Sequence, residues 1–377
     1  MDDHSAHIQE RFRSSHGRDP LFRPVDGATC PGDDLSTPAA MRRAYGLLLG
    51  RGLIRMPIPI PPHPQFSVVR VQDPYGCTRL ESPAKGMLSV YRRPLPATNL
   101  RFNSEIMWDG RESNLRSQAL DAAMLHEERR GLLSAKDLSA IVAFESGQWT
   151  AQVSDAAAGS LQGAGASGGP AALSRQQFHP GINDSLGNGP ARQEFDLEVF
   201  SIYQPWLGLK GSALDRERAA IARGEEIFNQ RAFFMSGLAG LQDDSSLDQM
   251  VTGFCTTCHD ALNAGDRSVV GTIDLGTADA SRRTPDLPLF TLRCDAGAFK
   301  GRTFETSDPG RALATGKCAD IGKFKVPILR GLAARPPYFH DGSAATLMDV
   351  VTFYDTRFGM GMTEQEKRDL VAFLRTL

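Results

Sequence analysis

Residues 253–261 have the sequence GFCTTCHDA, which places two cysteines and a histidine within five positions: Cys255, Cys258 and His259. The pattern Cys-x-x-Cys-His is the attachment signature of c-type haem. The two thiols add across the vinyl groups of the porphyrin, and the next imidazole is thereby held beneath the ring, where it binds the iron. The motif predicts a covalent haem with His259 as an iron ligand.

A zinc knuckle and a thiol redox pair are the alternatives. A structural zinc site needs two further ligands from a second knuckle, and the chain has no second Cys or His pair of that kind. A thioredoxin-like pair needs a βαβ context, which the surrounding sequence does not indicate. Covalent haem is the preferred interpretation.

The iron face opposite His259 also needs a ligand. The helix expected after residues 338–347, YFHDGSAATL, offers Tyr354, and three methionines are nearby in the sequence. Methionine ligation raises the reduction potential, whereas a deprotonated tyrosine favours ferric and higher states. The candidates at this point are Tyr354, Met348, Met360 and Met362, and each methionine has ordinary core packing as its alternative role.

The length of 377 residues favours two domains, because single cores usually stop growing near about 250 to 300 residues. A segment rich in Gly, Ala and Ser, residues 155–174, separates two halves. We predict an N-terminal domain over 1–150, a linker and surface loop over 151–205, and a C-terminal haem domain over 206–377. A net charge of −2 gives no reason to expect a nucleic-acid partner. No apolar run reaches the length of about 18 residues that a membrane span needs.

The two halves share a pattern. In each, a proline is followed by an Asp-Gly turn, and a leucine lies six residues after the aspartate: Asp109 and Leu115, then Asp341 and Leu347. Each half ends in an amphipathic helix with a capping signal, SAKDLSAIVAFES at 134–146 and TEQEKRDLVAFLRTL at 363–377. Strand signals are sparse, so the predicted fold class is mostly α.

Four cysteines lie outside the motif. If the compartment is oxidising, pairs within each half are the economical prediction, Cys30 with Cys77 and Cys294 with Cys318. Each bond would add about 2 to 4 kcal/mol of stability. The alternative is four buried free thiols.

Two stretches carry a family resemblance: MWDGRESNLRSQAL at 107–120 and FKVPILRGLAARPPYFHDGSAATLMDVVTFYDTRFG at 324–359. With the capped terminal helix they resemble the bacterial di-haem cytochrome c peroxidase and MauG superfamily. The resemblance implies two cytochrome c-like domains with long loops, each holding one haem c. It also implies that the C-terminal haem relays electrons and that the N-terminal haem reacts with hydrogen peroxide.

The resemblance assigns roles to residues of the first half. Trp108, in the WDGR turn, would be an electron-transfer residue between the haems; its alternative role is that of a large core aromatic. Gln118 and Glu128 match the family's glutamine and glutamate near the peroxide-reactive haem, with Glu127 and His126 as neighbouring candidates. Such a carboxylate moves a proton between the peroxide oxygens. The alternative for HEERR, residues 126–130, is a solvated helix end.

Tyr354 stands where conventional peroxidases of the family have a methionine ligand. A tyrosine at this place is similar to the MauG branch, which oxidises a partner protein. We therefore expect Tyr354 as the second iron ligand and a MauG-like oxidation. Arg93 and Arg335 stand at the places that match the family's calcium site, and cations there would repel a divalent ion, so no calcium is predicted.

The chain departs from the family in its first half. The spacing of the second half would place a haem motif near residue 26, where PVDGATCPGDD, residues 24–34, has Cys30 alone. We expect a truncated chain that has lost a signal peptide and the first haem motif together; a true single-haem descendant is the alternative. Since c-type haem is attached in the periplasm, a periplasmic location is expected.

The sequence thus predicts a haem oxidoreductase that uses hydrogen peroxide, acting as a cytochrome c peroxidase or as a MauG-like oxidant. Its expected partner is a small electron-donor protein or a protein substrate, and a second haem is expected in the full-length protein. The alternative function is a single-haem electron carrier without peroxidase activity.

Overall fold

The computed structural model describes residues 3–77, 86–125, 131–187, 194–241 and 248–377. Its helices are α1 Asp3–Ser15, α2 Pro24–Gly27, α3 Pro38–Ala44, α4 Gly46–Arg51, α5 Leu115–Leu125, α6 Ala135–Ser146, α7 Pro170–Leu173, α8 Ala213–Gln230, α9 Cys255–Cys258, α10 Ala312–Thr315, α11 Leu347–Phe358 and α12 Glu364–Arg375. Its strands are β1 Ile54–Pro59, β2 Phe66–Gln72, β3 Met87–Arg92, β4 Ser154–Asp155, β5 Gly159–Ser160, β6 Phe233–Met235, β7 Val251–Gly253, β8 Thr272–Ile273, β9 Leu289–Cys294, β10 Thr303–Thr306 and β11 Phe324–Lys325.

The prediction of a mostly α fold is wrong. The described residues are 34% helical and 14% strand, and their strands form small antiparallel sheets. Strands β1 and β3 pair with each other, while β2 pairs with β9, more than two hundred residues further along the chain. Each of these strands is at most seven residues long. Short strands with distant partners leave little local signal in a sequence.

The duplicated turn predicted from the sequence is present. Ile106 and Glu112 form an antiparallel bridge in the first half, and Tyr338 and Ala344 form one in the second. In each bridge the first residue donates a short hydrogen bond to the carbonyl of the second, over 2.8 Å and 2.6 Å. Both bridges span three residues on either side of the aspartate. The two halves therefore share this turn in three dimensions as well as in sequence.

Both turns have two residues with left-handed backbone. Gly110 and Gly342 have φ values of 59° and 67°, a region that glycine adopts without steric cost. Met107 and Phe339, two residues before the aspartates, also have positive φ values, 71° and 67°. Matching positive φ at a methionine and a phenylalanine is uncommon, so the backbone of the turn is held by its surroundings.

The closing helices begin as their capping signals predict. Ser134 accepts a hydrogen bond from the backbone of Asp137, and Thr363 forms a reciprocal capping box with Glu366. Helix α12 packs against α8 at Gly224, where an added Cβ would lie only 2.0 Å from the backbone oxygen of Asp369. The two helices approach this closely because Gly224 has no side chain.

Both predicted disulfides are present. Cys30 bonds to Cys77 and Cys294 bonds to Cys318, with Cα separations of 5.2 and 6.1 Å. The largest core cluster joins apolar residues of 158–206 to residues of 221–377, and the half-buried Cys255 and Cys258 pack against it. The division into domains at 150 and 206 stays a prediction.

Candidate functional site

The CTTCH motif forms the single helical turn α9. Cys255 and Cys258 are three residues apart, so their side chains share one face of the turn. The backbone N–H of His259 donates to the carbonyl of Cys255 over 3.1 Å, and the backbone N–H of Phe254 donates to Thr257 Oγ1 over 2.9 Å. Both cysteines are free of disulfide bonds and half-buried. The turn therefore presents two thiols and an imidazole together.

His259 has the protonation that an iron ligand requires. Its Nδ1 lies 2.5 Å from the backbone oxygen of Gly265, and since a carbonyl only accepts, Nδ1 carries the proton. Burial lowers the pKa of His259 to about 4, so the ring is neutral near pH 7. Nε2 then keeps its lone pair for a metal.

The carbonyl that orients His259 is itself held by neighbouring segments. The backbone N–H of Leu329 donates to the carbonyl of Ala264 over 3.1 Å, directly before Gly265. A Cβ on Gly265 would lie 2.7 Å from the ring of Phe200, so the loop fits tightly against the core. The orientation of the imidazole follows from this packing.

Tyr354 lies near the motif. Burial raises the pKa of its phenol above the ordinary value, and the Cys258 and Cys255 thiols add to the rise. Burial likewise raises the pKa of Cys255 to about 12 and that of Cys258 to about 11. Tyr354 packs against the same core cluster as the two cysteines, and its ring stacks on Phe358 at 6.2 Å. The structure thus brings Tyr354 to the motif.

The three methionine candidates differ in burial. Met360 and Met362 are buried in the core cluster that contacts the motif, whereas Met348 is half-buried and outside that cluster. Their role as iron ligands stays a prediction, as does that of Tyr354. In the described part of the chain, no group of three or more His, Cys, Asp or Glu side chains has a metal-binding arrangement.

A second feature is a cavity of about 210 Å³ beside the first turn. Trp108 and Gln118, two of the residues that the resemblance singled out, both line it. Glu145 and Lys325 line it as well. The other predicted acid–base candidates, Glu128, Glu127 and His126, lie outside the described residues.

Trp108 makes hydrogen bonds to both halves of the chain. Its indole N–H donates to the backbone oxygen of Arg93 over 2.7 Å, and its own backbone oxygen accepts from the backbone N–H of Lys325 over 2.7 Å. Its ring meets that of His340 edge to face at 6.3 Å. The indole therefore sits at the junction of the two halves, beside the cavity.

A buried ion cluster fixes the turn that carries Trp108. The guanidinium of Arg92 donates to Asp109 over 2.7 Å and makes two bonds to Asp308, of 2.6 and 2.9 Å. Burial alone would raise the pKa values of the two carboxyls, but Arg92 holds both below the ordinary value. Since charge-assisted bonds are strong in a buried setting, the turn is firmly positioned.

Glu145 is a site candidate that the sequence analysis missed. Its Oε2 is buried and has no hydrogen-bond partner among the described residues. Burial raises the pKa of Glu145. When α6 and α12 are aligned on their N-caps, Ser134 and Thr363, Glu145 corresponds to Leu374, a buried residue of α12. A carboxyl on the apolar face of a helix was the available signal.

The two arginines that led to the prediction of no calcium bind backbone carbonyls. Arg93 donates to the oxygens of Gly52 and Pro336, both over 3.2 Å, and Arg335 donates to those of Ile328 and Arg330, over 3.0 and 2.7 Å. Carbonyl oxygens that could otherwise face a cation therefore accept from guanidinium groups. The prediction about calcium remains a prediction.

Parts of the chain are similar in sequence to known proteins. No family model matches the chain. The cytochrome-c peroxidase IdrP1 of Denitromonas iodatirespirans is 33% identical over 140 residues, 33% of this chain and 36% of the relative. The cytochrome c551 peroxidase of Nitrosomonas europaea is 44% identical over 84 residues, 22% of this chain and 25% of the relative. Over these segments the chain is similar to members of the cytochrome c peroxidase and MauG superfamily.

A third relative supports the MauG side of this superfamily. The methylamine utilization protein MauG of Methylorubrum extorquens is 32% identical over 138 residues, 30% of this chain and 36% of the relative. The matches span about a third of the length of these curated relatives, or less. A solved MauG-like protein associated with microbial copper homeostasis aligns with 78% of this chain and 75% of its own, at 18% identity and a TM-score of 0.39.

Among the helices of the described residues, none is both long and apolar enough to cross a membrane.

Proposed function

We propose that the protein is a c-type haem oxidoreductase that uses hydrogen peroxide as its electron acceptor. The observation that carries the proposal is the α9 turn, which presents two free thiols together with a neutral histidine whose Nε2 is available. The relationship to cytochrome c peroxidases and MauG supports the choice of reaction.

Cys255 and Cys258 would bond the haem, and His259 would hold its iron. A haem at this site supplies one-electron redox chemistry. Tyr354 is proposed as a second residue that would hold the iron, because it packs against the same core as the two cysteines. Its protonated phenol would have to lose a proton to become an anionic donor, and burial opposes that loss. Met360 and Met362 are the alternatives from the same core.

The cavity beside Trp108 is the proposed site of proton handling. Reduction of hydrogen peroxide to two waters consumes two electrons and two protons, so a nearby group must take and return protons. Glu145 suits this role because it faces the cavity, its Oε2 is unpartnered among the described residues, and its raised pKa favours the protonated form. Gln118 would orient the peroxide, and Glu128 is retained as a second candidate acid.

Trp108 is the proposed electron-transfer residue between the two halves. It borders the cavity, and its hydrogen bonds to Arg93 and Lys325 fix it at the junction. The residues that line the described cavity include neither His nor Cys. The cavity wall therefore offers no such ligand for the second haem that the resemblance implies. A second haem in the full-length protein therefore remains an expectation from the family.

The partner and the compartment follow from the same chemistry. Electrons would come from a small electron-donor protein or from a protein substrate that becomes oxidised. The two disulfides favour an oxidising compartment, and we propose the periplasm.

The test is a steady-state assay in which a reduced one-electron donor is oxidised by hydrogen peroxide. The holoprotein should oxidise two donor molecules for each peroxide consumed, and the Cys255→Ala/Cys258→Ala variant should lose this activity. A holoprotein that exchanges electrons with the donor but leaves peroxide unconsumed would contradict the proposal. That result would favour the alternative, a single-haem electron carrier.

A further inference from the structure

Two buried arginines of the C-terminal half have N–H donors without hydrogen-bond partners among the described residues. Arg267 is 5% exposed and Arg330 is 2% exposed. In each, Nε and Nη1 are buried and have no hydrogen-bond partner among the described residues. No ion pair within the described part of the chain includes either guanidinium. Leaving a buried charge unpaired is strongly destabilising.

Both arginines extend from segments that support His259. Arg267 lies two residues after Gly265, whose carbonyl accepts from the histidine. Arg330 follows Leu329, whose backbone N–H bonds to Ala264. The two cations thus belong to the two segments that hold the carbonyl of Gly265 in place.

Nearby carboxyls are already engaged by backbone groups. Asp260 accepts from the backbone N–H of Ser268 over 2.5 Å, and Glu225 accepts from those of Ile202 and Tyr203 over 2.7 and 2.9 Å. Burial raises the pKa of Asp260, and Arg267 lies close enough to oppose that rise. Burial lowers the pKa of Arg330, and Tyr203 and Glu225 lie close enough to oppose that fall. In the described part of the chain, neither carboxyl forms an ion pair with its arginine. The guanidiniums therefore keep donors for a further anion.

We propose that Arg267 and Arg330 bind the two propionate carboxylates of the haem that is attached to Cys255 and Cys258. This inference rests on the proposed function only in requiring that haem. A planar guanidinium matches a carboxylate, to which it donates two parallel hydrogen bonds. Haem c carries two propionates, and the site offers two buried guanidiniums with open donors. The pairing supplies the anions that the structure of the chain alone lacks.

The pairing has an electrochemical consequence. Adding an electron to the haem is easier when its propionate charges are neutralised, because net charge and hydrogen bonding near a haem tune its reduction potential. Removing either guanidinium should therefore lower the midpoint potential. The charge-preserving replacements Arg267→Lys and Arg330→Lys should have midpoint potentials close to that of the wild type.

The experiment compares Arg267→Gln and Arg330→Gln with the wild-type holoprotein and with Arg375→Gln. Arg375 is a matched control because it is a partly exposed arginine of the same half, paired with Asp155. A pyridine haemochrome assay first measures haem per chain, and a spectroelectrochemical titration then gives the midpoint potential. Both buried variants should shift to lower potential, while Arg375→Gln should match the wild type. Gln variants that keep their haem and the wild-type potential would overturn the inference.

A second measurement uses only the wild-type holoprotein, so it does not require any variant to fold. The resonance Raman spectrum of the wild-type holoprotein contains the propionate bending bands, whose frequencies report hydrogen bonding. Bands typical of hydrogen-bonded propionates would support the pairing, and bands typical of free propionates would overturn it. Absence of haem from the wild-type chain would instead contradict the proposed function, so the two failures are distinguishable.

Discussion

The turns around Asp109 and Asp341 have the same bridges and the same pairs of left-handed residues. The helices that close the two halves nevertheless differ in how far the rest of the chain buries them. Helix α6 contains the sequence IVAF at 141–144 and α12 contains LVAF at 370–373. Phe373 is fully buried, whereas Phe144 is 67% exposed. The C-terminal half covers its closing helix with α8, and the described residues of the N-terminal half provide no equivalent cover for Phe144.

One residue further along, the helices differ in chemistry. Leu374 belongs to the core of the C-terminal half, and its counterpart Glu145 faces the cavity with Trp108 and Gln118. The same repeated pattern therefore supports a packed apolar core in one half and a cavity with a carboxyl in its wall in the other. Three tests follow from this difference: one substitutes the paired phenylalanines of the two halves, and two substitute residues that line the cavity.

The largest effect is expected for the paired phenylalanines. Phe373→Ala should lower the free energy of unfolding by about 3 to 5 kcal/mol, because it removes a buried ring from the core. Phe144→Ala should change it by no more than about 0.5 kcal/mol, since the ring is mostly exposed. Denaturant unfolding of the holoprotein measures both. Similar losses in the two variants would show that α6 is covered in the native protein.

Glu145→Gln should separate activity from stability. Loss of the acid should reduce peroxide turnover by about a hundredfold if Glu145 handles the proton. Because burial raises its pKa, Glu145 contributes stability at low pH that is lost as the pH rises through its folded-state pKa. The variant should therefore lack this decline. Glu217→Gln, at an exposed position of α8, is the control and should match the wild type in both assays.

A result in which Glu145→Gln keeps full turnover would remove Glu145 from the mechanism and favour Glu128. Glu145→Leu sharpens the comparison further, because it gives α6 the residue type of α12. That variant should be at least as stable as the wild type and should be as inactive as Glu145→Gln.

A smaller kinetic effect is expected for Trp108→Phe. If the indole connects the two halves, turnover should fall by about tenfold or more, equivalent to about 1.4 kcal/mol in the barrier. Trp149→Phe changes another partly buried tryptophan, which packs on Phe102, and should leave turnover unchanged. Equal rates for Trp108→Phe and the wild type would mean that Trp108 serves the fold alone.

Local patterns in the sequence were sufficient to predict several features. The haem motif, the duplicated turns, the helix caps and both disulfides depend on residues that are close in sequence or few in number. Trp108 and Gln118 were found through the resemblance, and the structure brings them to one cavity.

Features that depend on distant partners were not predictable in this way. The pairing of β2 with β9 joins the two halves, and nothing within either strand indicates its partner. The unpartnered atoms of Glu145, Arg267 and Arg330 are likewise properties of the packed chain. Glu145 had one local signal, a carboxyl on the apolar face of a helix, whereas the burial of Arg267 and Arg330 becomes evident only after folding.

The most direct test of the central claim is a count of covalent haem on this chain. Pyridine haemochrome absorbance, together with the intact mass of the protein expressed with the c-type maturation machinery, gives the number. We expect one haem per chain, attached through Cys255 and Cys258 and absent from the Cys255→Ala/Cys258→Ala variant. A chain without covalent haem, or a double variant that retains it, would contradict the proposed haem site.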